Sequence, residues 1–263
     1  MFTMKAKFTF LKSRISFLVI ALSLIVFTGA LRVNAAIQLR GTATSATTTN
    51  ATLTINKPTG VVAGDVMIVN ITQTGNTGIN ASLTGWTLIA GALQSTGAPR
   101  RSTILYRVAN GTEGSSFAFV LGTGTTSAVG SIIAFSGVDP SVFDVQPGTL
   151  NTGTGTTVTA LSITSVTNNA AIVFLAGAGG TDGSIYSGWS GTTPTFTEVM
   201  DFSTTATINS VGAAWGTLAT AGATGNKTVT VDDNYYWARW HLVRGLASCT
   251  FWWASEKDFR HIF

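Results

Sequence analysis

In Phe117-Ala118-Phe119-Val120-Leu121 the bulky side chains recur at every second residue, and this period of two is the feature that most narrows the fold. A strand sends alternate side chains to opposite faces, so Phe117, Phe119 and Leu121 share one face. A helix needs apolar residues at spacings of three and four, and beyond residue 36 almost no stretch supplies them. Short runs rich in β-branched or aromatic residues follow one another instead, at 51–56, 66–71, 103–108 and 116–121, bounded by Gly, Asn or Pro. Val158, Leu161, Ile163 and Val166 form a less regular run, and 171–176 is continuously apolar, as in a strand covered on both faces. The 29 glycines suit many tight turns. These patterns predict an all-β chain, a two-sheet antiparallel β-sandwich of jelly-roll type.

The strand pattern also repeats. Val66 to Ile71, Gly85-Trp86, Ile104 to Ala109, Ser116 to Val120 and Ala128 to Ser136 are answered in order by a second set. That set is Ala171 to Ala176, Gly188-Trp189, Ser210 to Trp215, Thr228 to Val231 and Tyr235 to Val243. Between the two sets lies 146–157, rich in Gly, Thr and Asn. It could link two small domains, but each half alone would make a thin core, so the favoured reading is a long connection inside one sandwich over 36–244.

The net charge of +4 misleads, because Lys5, Lys7, Lys12, Arg14 and Arg32 precede residue 36 and no acidic residue does. Without them no basic stripe remains for nucleic acid. The same segment has a positive start, an apolar stretch from Ile15 to Leu31, and the small-residue motif Val33-Asn34-Ala35. Residues 1–35 therefore read as a signal peptide cleaved after Ala35, with an uncleaved membrane anchor as the alternative. Either way the rest of the chain is expected to be secreted or on the cell surface. The single Cys249 excludes an internal disulfide. Residues 245–263 hold Cys249, Phe251, Trp252, Trp253 and several charged residues, a composition foreign to the Thr/Gly-rich body. They read either as an added segment or as a replaced natural end.

The order Pro58-Thr59-Gly60-Val61-Val62-Ala63-Gly64-Asp65, a strand, Gly85-Trp86-Thr87, Tyr106-Arg107-Val108-Ala109 and Ser136-Gly137-Val138-Asp139 resembles that of uncharacterised secreted bacterial and phage-tail β-sandwich domains. The resemblance covers 37–244. It implies a role on a cell surface or appendage, in binding or adhesion, and transfers no catalytic residue.

Candidate chemistry is sparse. The only histidines are His241 and His261, and neither a Gly-x-Ser-x-Gly elbow nor a His-Glu-x-x-His pair occurs. A carboxylate pair for glycoside hydrolysis could be drawn from Asp65, Glu113, Asp139, Asp144, Asp182, Glu198, Asp201, Asp232 and Asp233. Most of these sit beside turn residues, and only Glu198 and Asp201 fall in a strand-like run. Asp232 and Asp233 with Asn234 offer oxygens to calcium, against the plainer reading of a hairpin turn. Alternation gives Tyr235, Trp237, Arg239 and His241 one face, a sugar-binding platform unless other segments cover it. Trp86 and Trp189, each after a glycine, are core tryptophans or loop-borne sugar stackers. Thr52-Leu53-Thr54 and Thr228-Val229-Thr230 read as exposed strand threonines rather than an ice-binding array. Sequons stand at Asn50, Asn70, Asn80, Asn110 and Asn226. The expectation is a non-catalytic surface module that binds glycan or extracellular protein without a cofactor. The alternatives are a carbohydrate-active enzyme and a structural appendage subunit.

Overall fold

Alternation in the sequence becomes strands throughout a computed structural model that describes residues 36–94, 99–145, 151–152, 157–179, 186–191, 193–204, 207–231, 237–242 and 249–251. All of these lie in one unit, Ala35–Phe263, and no helix occurs among them. The first half contributes β1 (Gln38–Leu39), β2 (Thr44–Thr48), β3 (Thr52–Asn56), β4 (Val66–Thr74), β5 (Thr87–Gln94), β6 (Arg100–Val108), β7 (Ser116–Val120) and β8 (Ser127–Ser136). The second contributes β9 (Asn151–Thr152), β10 (Thr157–Ala160), β11 (Ala170–Gly179), β12 (Tyr186–Ser190), β13 (Thr197–Thr204), β14 (Thr207–Leu218), β15 (Lys227–Val231), β16 (Trp237–Leu242) and β17 (Cys249–Phe251).

The two halves build the same pattern of sheets. The first large sheet runs β2-β8-β4-β6-β5, with β1 beside β2 on the same edge of β8. The second runs β9-β16-β11-β14-β13. Each half also has a small sheet, β3-β7 in the first and β10-β15-β12 in the second. In the first half Ser82 bridges Val120 of β7, at the place that β12 takes beside β15. All pairings are antiparallel except β17, which lies parallel to β11 at 171–173.

Side-chain direction sets the layers. Along β4, Met67, Val69 and Ile71 point toward the small sheet of their own half and join Leu53, Ile55, Phe117 and Phe119. Val66 and Ile68 point the other way and meet Ala171, Val173, Leu175 and Ala213 of the second large sheet. On β11 the even-numbered set Ile172, Phe174 and Ala176 faces Val229 and Val231 of its own small sheet. The order is therefore small sheet, large sheet, large sheet, small sheet. Both β4 and β11 are covered on both faces, which explains their nearly unbroken apolar runs. Fully burying one Val, Ile or Phe is worth about 1.5–3 kcal/mol, so this central seam adds to the stability that the core inside each half supplies.

The expected antiparallel all-β sandwich is present, with one difference in its layout. Each half makes its own large and small sheet, and the halves stack instead of sharing two sheets. The reason lies in β4 and β11, which carry apolar residues at both parities and so need partners on both sides.

Candidate functional site

The described carboxylates are spread over the unit, and each holds nearby chain. Asp65, 3% exposed, accepts from Arg40 through Nε at 2.8 Å and Nη2 at 3.2 Å, and from the Val62 amide at 2.9 Å. Glu113 accepts from the amides of Asn110 at 2.6 Å and Gly111 at 3.0 Å and from Arg107 Nη2 at 3.2 Å. Burial pushes the Glu113 pKa up, but these amides and the Arg107 charge outweigh it and hold the carboxyl below its ordinary range. Asp139 caps the Ser141 amide at 2.8 Å. Asp144, just after the first half, accepts from Ser165 Oγ at 2.9 Å, the Val166 amide at 3.0 Å and Thr167 Oγ1, and so ties the halves together. Glu198 accepts from Trp189 Nε1 at 2.5 Å, and Asp201 from the Tyr186 amide at 3.1 Å. Asp182, Asp232 and Asp233 lie outside the described residues, and the calcium reading lies there with them. Among the described residues no group of three His, Cys, Asp or Glu is placed to hold a metal ion.

The two glycine-preceded tryptophans occupy matching places in their halves. Trp86 is 8% exposed and meets Phe117 and Phe119 edge-on, with ring centroids 5.1 and 5.2 Å away. Trp189 is partly buried and meets Phe174 edge-on at 4.8 Å. Both rings pack between the large and small sheet of their half, Trp86 buried and Trp189 partly exposed. For Trp86 the sugar-stacking alternative has no ring face left. The side chains of Trp237, Arg239 and His241, and all of Tyr235, lie outside the described residues. The backbone register pairs Trp237 with Gly179, Arg239 with Gly177 and His241 with Leu175.

What sequence reasoning missed is a polar end to the seam. Arg100 is fully buried, and its Nε donates to Asn209 Oδ1 at 3.0 Å. Asn209 Nδ2 reaches back across the seam to Ser127 Oγ at 2.9 Å, its carbonyl at 3.3 Å and Thr74 Oγ1 at 3.4 Å. Further along, Asn70 Nδ2 donates to the Ala176 carbonyl at 2.7 Å. The available signal was a set of polar residues, Asn70, Thr72 and Thr74, at every second place of an apolar strand. Buried polar groups that are bonded to one another fix one relative placement of two surfaces, whereas apolar contact tolerates sliding. Two small apolar clefts also open on the surface, one of about 230 Å³ where the edge strand breaks between β1 and β2 beside Ile133 and Val199. The other, of about 160 Å³, lies between Val66, Val108, Val138 and Pro140. Neither gathers titratable groups suited to proton transfer. No protein-family profile, curated protein or solved structure matches the chain.

Proposed function

We propose that the chain is an exported, non-catalytic surface module of two stacked jelly rolls that recognises extracellular glycan or protein through outward aromatics and the loops joining its strands. The observation that carries this reading is the use of the described carboxylates. Asp65, Glu113, Asp139, Asp144, Glu198 and Asp201 each accept from a backbone amide, an arginine or a tryptophan of their own surroundings. General acid–base work needs two such groups left facing one cleft, and these are committed to shaping loops and edges. The jelly-roll reading is supported by the strand order β2-β8-β4-β6 over β3-β7 and its counterpart β9-β16-β11-β14 over β10-β15-β12. Export is supported by the basic-then-apolar composition of 1–35 and its small-residue end, which suits release after Ala35 or retention as an anchor.

The test uses the chain from residue 36 on a glycan array and a panel of extracellular proteins, alongside assays for polysaccharide cleavage. Saturable binding without product release supports the reading. Cleavage that disappears in Glu198→Gln or Asp201→Asn would replace it with the enzyme.

A further inference from the structure

The five Asn-x-Ser/Thr sequons fall in unlike surroundings. Asn50, Asn110 and Asn226 are exposed, and Asn80 is partly buried with its Oδ1 accepting from Arg101 Nη1 at 2.8 Å. Asn70 is different in kind. It stands in the centre of the first large sheet, paired with Ile104 on one side and Ser131 on the other, and is 1% exposed. Its Nδ2 donates to the Ala176 carbonyl across the seam. The hydroxyl of its sequon, on Thr72, is fully buried against Ser102 Oγ at 3.3 Å.

N-glycosylation uses that same nitrogen. Nδ2 loses a proton and bonds to the anomeric carbon of an oligosaccharide carried on a lipid diphosphate, and the lipid diphosphate leaves. Packed sheets stand about 10 Å apart with side chains filling the gap, so a glycan on Nδ2 has no room between them. The folded chain hides both sequon groups, which leaves only the time before folding for transfer. That time is long, because Asn70 and the residue that covers it are 106 positions apart. At usual synthesis rates the cover emerges roughly 5 to 20 s after the sequon.

We infer that glycan transfer to Asn70 and folding exclude each other, so the chain folds only along an export route that leaves Asn-x-Thr sequons unmodified. This rests on the export reading above. The full chain is expressed in a secretory host that glycosylates such sequons, once with its own leader and once with a leader known to work there. With the known leader, the expected result is a glycan mapped to Asn70 in retained, aggregated chain and loss of the secreted folded form. Thr72→Val, which removes the sequon but keeps Asn70, restores secretion, and so does an inhibitor of oligosaccharide transfer acting on the unaltered chain. Folded, secreted chain that carries a glycan on Asn70 overturns the inference. So does efficient secretion of the unaltered chain with Asn70 unmodified. Failure confined to the chain's own leader counts against export and leaves the result from the known leader standing.

Discussion

Replacing Asn209 with alanine probes the contact between the two large sheets where it is most specific. The change removes the acceptor for Arg100 Nε at 3.0 Å and the donor to Ser127 Oγ at 2.9 Å, both in fully or nearly fully buried surroundings. A hydrogen bond to a charged group contributes about 1.5–3 kcal/mol and a neutral one about 0.5–1.5 kcal/mol, so the expected loss is about 3 kcal/mol. For a unit of this size that lowers Tm by roughly 6 to 12 °C. Urea titration and thermal melting, followed by circular dichroism, measure both quantities. Asn209→Asp is the companion variant, since it keeps an acceptor for Arg100 and loses only the donor toward Ser127 and Thr74. It is expected to cost less than the alanine change. A loss under about 1 kcal/mol for Asn209→Ala, at unchanged m-value, would show that water already reaches these groups. The two large sheets would then not be stacked face to face at this end.

Three further changes have worked-out directions. Trp86→Ala removes a buried ring braced by Phe117 and Phe119 and is expected to cost about 3–5 kcal/mol in chemical denaturation, whereas any glycan binding measured on the intact variant stays unchanged. Glu113 is held below the ordinary carboxylate range, so it stabilises above its unfolded pKa of about 4.3, and that contribution fades as pH falls through its folded value. Glu113→Gln should therefore lower stability near neutral pH and flatten its decline in acid, and an unaltered pH profile would refute this. Gly75 has φ +87°, and a Cβ there would stand 2.3 Å from the Gly124 carbonyl. Gly75→Ala is expected to lower stability by at least about 1–3 kcal/mol, read by the same titration.

Much of the fold was legible because burial leaves its period in the sequence. Phe117, Phe119 and Leu121 face inward from β7 and its end, as their alternation requires, and the apolar run of β11 is covered on both faces. The duplicate order of strands was legible through Gly85-Trp86 and Gly188-Trp189. Less legible was which surface covers which strand. Alternation says that Trp237, Arg239 and His241 share a face, but not what lies over that face. Trp86 illustrates the same gap, because a tryptophan after a turn glycine suits a core or a loop equally until Phe117 and Phe119 are seen against it. The polar end of the seam escaped because Arg100, Ser127 and Asn209 are distant in sequence and none is unusual alone.

The two large sheets close on each other and exclude water. Thiol reactivity tests it most directly, using Ile68→Cys and Val173→Cys singly in a Cys249→Ser background, since Ile68 is 1% exposed and Val173 fully buried on the two sides of the seam. Both cysteines are expected to react only at the rate of global unfolding, with labelling that accelerates in step with the urea unfolding transition. Rapid labelling of either one in native buffer, with strand content intact, would mean that the halves stand apart.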